Sequence, residues 1–127
     1  MRQILSFALC ATLAAPAALA EPGDLGKGET EYQRAVRCAV INVDGAMMLI
    51  AHPDKSVMEK VVASADRWDR HAHKLGSSEA QTKSDFEAMD KAMKNITGPM
   101  DREEKAKTMA ILLVDCAAAE KRVFGEG

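Results

Sequence analysis

The sequence predicts an all-α protein, an antiparallel up-down-up-down four-helix bundle with one disulfide joining helices 1 and 4. Four segments carry apolar residues at helical spacing, and none shows the alternation of a strand. The connections between them are short, so consecutive helices are expected to be antiparallel neighbours. Cys38 and Cys116 then fall near the same end of the bundle.

The first helix is predicted from about Thr30 to His52, with Thr30 and Gln33 as a capping box and Pro53 as its stop. Apolar residues follow one stripe, and others lie off it, so we expect this helix to be the most buried. The stripe comprises Tyr32, Val36, Val40, Val43, Met47 and Ile50.

The second helix is predicted from about Ser56 to Leu75. Ser56 and Glu59 have the spacing of a capping box. Gly76 follows where a left-handed C-terminal cap is common. The apolar stripe comprises Val57, Val61, Trp68, Ala72 and Leu75.

The third helix is predicted from about Ser78 to Asn95, beginning with the pair Ser78 and Gln81 and ending before Gly98-Pro99. Its apolar face comprises Phe86, Met89, Met93 and Ile96.

The fourth helix is predicted from about Met100 to Phe124, with Asp101 and Glu104 as the cap pair and Gly125 at its end. Its apolar face comprises Ala106, Met109, Ala110, Leu113, Cys116, Ala117 and Phe124.

The two cysteines provide a test of this topology. Cys38 lies eight residues after Thr30, and Cys116 lies eight residues before Phe124. In an antiparallel pair both would lie about 12 Å from the same end, at about 1.5 Å rise per residue. The alternatives to a disulfide are two free buried thiols or a metal site, but two cysteines with no nearby His are too few for structural zinc.

Residues 1–20, MRQILSFALCATLAAPAALA, have the pattern of a secretory signal peptide. Arg2 gives a positive start, an apolar stretch follows, and Ala-Leu-Ala at 18–20 is a small-x-small cleavage site. An uncleaved anchor is the alternative, but the apolar run is short for a span of about 20 residues. We therefore expect a periplasmic or secreted protein, cleaved after Ala20, with no membrane span after cleavage.

Cleavage removes 20 of the 127 residues and leaves a chain of 107 with two cysteines, an even pair that is typical of a disulfide in an exported protein. Residues 21–29, EPGDLGKGE, hold three glycines and a proline and are expected to be a flexible leader with nothing to pack. The helical bundle domain is assigned to residues 30–127.

Composition excludes some functions. The chain has 17 Lys+Arg against 19 Asp+Glu, a formal net charge of −2, and 47% of its residues are hydrophobic. One compact domain is expected at this length. Nucleic-acid-binding proteins carry a basic excess, so we expect no nucleic-acid partner.

The predicted layout separates two kinds of core residue. The aromatic residues Tyr32, Trp68, Phe86 and Phe124 fall at one end. The opposite end collects Met47, Met48, Met58, Met93 and Met100, with His52 at its rim. Methionines at helical spacing are usually core packing, but they also form adaptable surfaces for apolar partners, and thioethers favour Cu(I). Their scatter over four helices argues against copper.

No catalytic or cofactor motif is present. His71 and His73 lie about 200° apart around a helix, so they cannot chelate one ion together, and His52 belongs to the other end. His73 follows Asp69 by four residues, which predicts a solvated pair. The chain lacks C-x-x-C-H, a phosphate loop and a nucleophile elbow. We expect no metal, no cofactor and no enzymatic activity.

These observations favour a non-enzymatic binding module with a protein partner, of a chaperone-, inhibitor- or immunity-like kind. In size, export and the cysteines of its first and last helices, the chain resembles exported acid-stress chaperones and immunity proteins against secreted toxins, and no residue role is carried over from them. The speculative binding residues are those of the Met-rich end. The alternative is a carrier of a soft metal (copper) or a small apolar ligand at that same end.

Overall fold

The computed structural model describes residues 28–125, and within this range the chain forms four helices and no strand. They are α1 (Glu31–Met48), α2 (Lys55–Leu75), α3 (Glu79–Thr97) and α4 (Arg102–Phe124). The predicted all-α four-helix fold is confirmed. The expected signal peptide and residues 21–27 of the expected leader lie outside the described residues. None of the four helices has the length and apolar character needed to cross a membrane.

Side-chain caps start three helices where the sequence places them. At α1, the Thr30 hydroxyl accepts from the Gln33 amide N–H at 3.1 Å, and the Gln33 side chain accepts from the Thr30 N–H at 2.8 Å. Ser78 starts α3 and Asp101 starts α4 by the same use of a side-chain oxygen. These oxygens satisfy N–H groups that have no partner within the helix.

The start of α2 differs from the prediction. The capping residue is Asp54, not Ser56, because the Asp54 carboxylate accepts from the Ser56 N–H at 3.0 Å. The Ser56 hydroxyl also donates to Asp54, at 2.6 Å. The predicted capping box of Ser56 with Glu59 is therefore wrong, since Ser56 already lies inside the helix.

The ends of the first two helices also differ. α1 stops at Met48 rather than at His52, and the chain continues through two tight turns in which Leu49 and His52 donate to carbonyls three residues earlier. Gly76 follows α2 with φ −71° and ψ 155°, so the predicted left-handed cap is wrong. Glycine is required there for space, because a Cβ at this position would collide with the Thr82 hydroxyl.

α1 is the central helix of the bundle. It packs against each of the other three helices, most extensively against α2. It contributes nine buried residues, against three from α2 and four each from α3 and α4, which confirms the prediction that it is the most buried. Because neighbours cover several of its sides, Ile41 is fully buried although it lies off the predicted stripe. On the stripe itself Val36 and Val40 are buried, whereas Val43 and Met47 are exposed.

The predicted disulfide between Cys38 and Cys116 is confirmed and joins α1 to α4. Their Cα atoms are 5.6 Å apart, and both residues are fully buried. The two helices remain close further along, because a Cβ on Gly45 would lie 2.9 Å from a methyl group of Leu113. The crosslink therefore lies inside a tight helix–helix contact.

A buried arginine lies next to the crosslink. Arg37 is 2% exposed, and its guanidinium donates to the Glu29 carboxylate at 2.7 and 3.0 Å and to Asp115 at 3.2 Å. Burial acts to lower the pKa of Arg37, but the hydrogen bonds and charges of Glu29 and Asp115 outweigh it and leave that pKa raised. Glu29 belongs to the segment that was expected to pack against nothing, yet it packs against α1.

Candidate binding cleft

An open cleft of about 590 Å³ is bounded by α1, α2 and α3. Each helix presents residues at helical spacing, so one face of each forms a wall. The lining residues are Ala39, Val40, Val43 and Asp44 from α1, Val62, Ala65, Asp66 and Asp69 from α2, and Phe86, Glu87 and Asp90 from α3.

The floor of the cleft is apolar and partly open to solvent. Val40 and Ala65 are 7% exposed and join the floor to the hydrophobic core, while Val43 and Val62 remain 52% and 49% exposed. Phe86 is half-buried and stacks on His73 with the ring centroids 5.7 Å apart. Single exposed apolar side chains are common on protein surfaces, whereas a contiguous apolar patch is a feature of many sites for another molecule.

The rim of the cleft is acidic. Five carboxylates lie around the floor, and among residues 28–125 no Lys or Arg lines it. We call these five the acidic rim: Asp44, Asp66, Asp69, Glu87 and Asp90. Basic partners come from the next turn of the same helix, as with Arg70 on Asp66 and Lys94 on Asp90, both at 2.7 Å.

The surroundings of Asp44, a carboxylate of the acidic rim, disfavour its ionised form. Burial raises its pKa, and the nearby Asp90 carboxylate raises it further, while Lys94 and Lys105 act in the opposite direction. A positive group arriving in the cleft would relieve both effects at once, because it would compensate the lost solvation and screen Asp44 from Asp90.

The cleft combines an apolar floor with a negatively charged edge. An apolar floor excludes water from an apolar ligand surface, and the surrounding carboxylates favour positive charge at its edges. In the described part of the chain, no three His, Cys, Asp or Glu side chains lie close enough together to hold a metal ion. The rim carboxylates are thus spread around the cleft and do not converge on one point.

The structure places the residues of the predicted Met-rich site in different environments. Met93 is 1% exposed and belongs to the buried core, whereas Met47 and Met48 are 64% and 42% exposed. Met58 is half-buried, and so is Met100, whose sulfur accepts a hydrogen bond from the Thr108 hydroxyl at 3.5 Å. His52 caps the connection before α2, where its Nδ1 accepts from the Asp54 N–H at 3.0 Å.

The other two histidines lie on α2 near its end. His71 packs edge-on against Phe124 with the ring centroids 5.0 Å apart, and its Nε2 lies 3.7 Å from a Glu31 oxygen. The Nδ1 of His73 lies 3.8 Å from the Asp69 carboxylate, in the pairing predicted from their spacing.

Sequence reasoning missed the cleft because its residues come from three helices. The sequence pattern places Val40 and Val43 on the apolar stripe of the first helix, which predicts that they belong to the core. One signal was available in the sequence. On the third helix Asp90 follows Phe86 by four residues, so an acidic residue lies beside an aromatic side chain on one helix face.

Comparisons with protein-family models, with curated proteins and with solved structures find no match to this chain.

Proposed function

We propose that the protein is a non-enzymatic binding module that holds the apolar face of another molecule in the cleft between α1, α2 and α3. The observation that carries the proposal is the exposed apolar floor, with Val43 and Val62 about half exposed beside buried Val40 and Ala65. A partner covering Val43 and Val62 would remove from water apolar surface that folding leaves exposed. This burial would contribute about 25 cal/mol of binding free energy per Å² of apolar surface.

The proposal includes an extracytoplasmic location. Residues 1–20 have the signal-peptide pattern, and the disulfide is of the kind that persists in oxidising compartments. A periplasmic or secreted protein with one crosslink and one open cleft would meet its partner outside the reducing cytoplasm.

The test uses a neutral apolar dye, Nile red, titrated into the protein that begins at Glu21. We expect saturable binding that weakens about five-fold on Val43→Ser and again on Val62→Ser, since each change removes about 1 kcal/mol of apolar contact. Both residues are exposed enough for the substitution to leave the fold intact.

A matched control is available on α4. Val114 is 70% exposed and lies outside the cleft, so Val114→Ser should leave the affinity for the dye unchanged. Equal affinity for the dye in all three variants, or no saturable binding at all, would contradict the proposal.

The carrier function remains the second candidate, and one observation favours a small apolar ligand. A volume of about 590 Å³ lies within the range of small-molecule sites, roughly 300–1,000 Å³. Native mass spectrometry of the freshly purified protein distinguishes the two functions. A stoichiometric small molecule that is lost on Val43→Ser would favour the carrier.

A further inference from the structure

We propose that the occupant of the cleft is an amphipathic helix of a partner protein whose apolar face is flanked by Lys or Arg side chains. This inference rests on the proposed binding function and names the chemistry of the partner.

Charge complementarity is the first argument. Every charged residue lining the cleft within residues 28–125 is acidic, although the chain as a whole has nearly as many basic as acidic residues. The acidic rim includes residues of all three helices, so negative charge borders the apolar floor on each side. A ligand with an apolar centre and positive edges matches this distribution, whereas an acidic ligand would be repelled.

The shape of the apolar surface is the second argument. On α2 the lining runs from Val62 to Asp69, which is eight residues or about 10 Å of helix. On α1 it runs from Ala39 to Asp44, and Met47, 64% exposed, continues the apolar line one turn beyond Val43. An elongated track of about 12 Å matches two turns of a partner helix, which would present apolar residues at i, i+3 or i+4, and i+7.

The charges of the rim are placed to select such a helix. Asp66 lies on the α2 wall of the cleft and Glu87 on the α3 wall. Lys and Arg bury their aliphatic stems against apolar surface while their charged ends reach outward. Basic residues that border the apolar face of the bound helix can therefore reach both walls while that face covers Val43 and Val62.

The experiment measures fluorescence anisotropy of a dye-labelled amphipathic Leu/Lys peptide of about 14 residues, with its Leu/Glu counterpart as the charge control. We expect the Leu/Lys peptide to bind at least about ten-fold more tightly than the Leu/Glu peptide and to displace Nile red. The affinity should fall as salt is added. A Leu/Lys peptide with the same composition but a scrambled, non-amphipathic order should bind at least about ten-fold more weakly.

Substitutions then distinguish the contribution of the acidic rim to peptide affinity from the contribution of the overall charge of the protein. Asp66→Asn and Glu87→Gln should each weaken binding of the Leu/Lys peptide about three- to ten-fold, and should weaken binding of neutral Nile red by less than that. Glu103→Gln is the matched control, since Glu103 is an exposed carboxylate of α4 outside the cleft. It should leave peptide affinity unchanged, and a loss equal to that of the rim variants would overturn the inference.

The outcomes distinguish this inference from the proposed function. Equal affinity for the Leu/Lys and Leu/Glu peptides would overturn the inference that the occupant is a cationic helix. If Val43→Ser still weakens Nile red binding in that case, the proposed binding cleft stands. Failure of both peptides and of Nile red would overturn both. Tighter binding of the small lipophilic cation tetraphenylphosphonium than of the Leu/Lys peptide would replace the helix by a small cationic ligand.

Discussion

Asp44 is a residue whose position reduces the stability of the folded protein when its carboxyl is ionised. Its carboxyl is half-buried beside Asp90, and burial and that neighbour raise its pKa. Folding therefore favours the protonated form. The stability of the protein is least affected by Asp44 below the unfolded pKa, near 3.8, and is reduced as the pH rises through the higher folded value.

The first prediction follows from this sign. Asp44→Asn should raise the melting temperature at pH 7, because the amide carries no charge to desolvate, and the difference from the parent should shrink as the pH falls toward 4. The same variant should bind the Leu/Lys peptide more weakly at pH 7. Calorimetry and anisotropy on one preparation check both parts. A lower melting temperature of the variant at pH 7 would contradict the interpretation that the ionised Asp44 carboxylate destabilises the fold.

The second prediction concerns Arg37. Removing one partner of a buried ion pair leaves an uncompensated charge, which costs roughly 3–5 kcal/mol for a fully buried pair. Because Asp115 still contacts the guanidinium, we expect Glu29→Ala to lower the free energy of unfolding by an amount near the bottom of that range, about 3 kcal/mol. Adding Arg37→Met should recover part of the loss, since no unpaired charge then remains.

Urea unfolding of the single and double variants measures this coupling. Glu31→Ala is the comparison, because Glu31 pairs with the more exposed Arg34 at 3.2 Å and should cost less than about 1 kcal/mol. Equal losses for Glu29→Ala and Glu31→Ala would show that burial of Arg37 has no bearing on the stability of its ion pair.

At the scale of the helices, the turn from α2 into α3 depends on the absence of a side chain at Gly76. An added Cβ would collide with the Thr82 hydroxyl and lie 3.1 Å from the Tyr32 ring. Thr82 is fully buried, and its hydroxyl donates to the Ser78 carbonyl at 2.9 Å. Gly76 therefore packs closely against Thr82 near the start of α3 and Tyr32 near the start of α1.

The third prediction is that Gly76→Ala destabilises the protein by about 1–3 kcal/mol, the usual range for overpacking. An extended φ of −71° is available to alanine, so the loss arises from the collision and not from backbone strain. Ser77→Ala, one residue later and exposed, should change the stability little. Thermal unfolding of the two variants decides it, and a stabilised Gly76→Ala would show that Thr82 and Tyr32 can move aside.

The elements differ in how far sequence alone could predict them. Local chemistry starts α1, α3 and α4, so their caps were predictable from short-range patterns. The cap of α2 was missed because Asp54 and Ser56 are both good capping residues, and only the backbone shows which one lies outside the helix. The cleft was not predictable from any one helix, since its floor exists only where three helix faces meet.

At the scale of the whole molecule, the Cys38–Cys116 disulfide closes a separation of 78 residues. Such a loop corresponds to about 4–5 kcal/mol in the chain-entropy model. The fourth prediction is that Cys38→Ser with Cys116→Ser lowers the melting temperature by about 10 °C or more, at roughly 4–8 °C per kcal/mol. Thiol labelling of the denatured, unreduced protein beginning at Glu21 is the accompanying measurement, and two reactive thiols per chain would contradict the bridge.

The fifth prediction contrasts the two ends of the bundle. Amides of residues 48–58 and 95–100 should exchange hydrogen faster than those around Cys38 and Cys116, because the crosslink and the contact of Trp68 with Phe124 hold one end. The other end has the exposed Met47 and Met48. Hydrogen exchange followed by mass spectrometry checks this, and equal protection at both ends would contradict it.

The central position of α1 also determines the order in which the protein can be completed during synthesis. Of the four described helices the ribosome makes α1 first, yet this helix reaches its final surroundings only when α4 has been made and Cys116 can meet Cys38. A nascent chain that ends before α4 leaves one side of the most apolar helix uncovered and one thiol unpaired. The domain is therefore complete only when all four described helices are present, and we expect a chain truncated before α4 to expose apolar surface that the full domain buries.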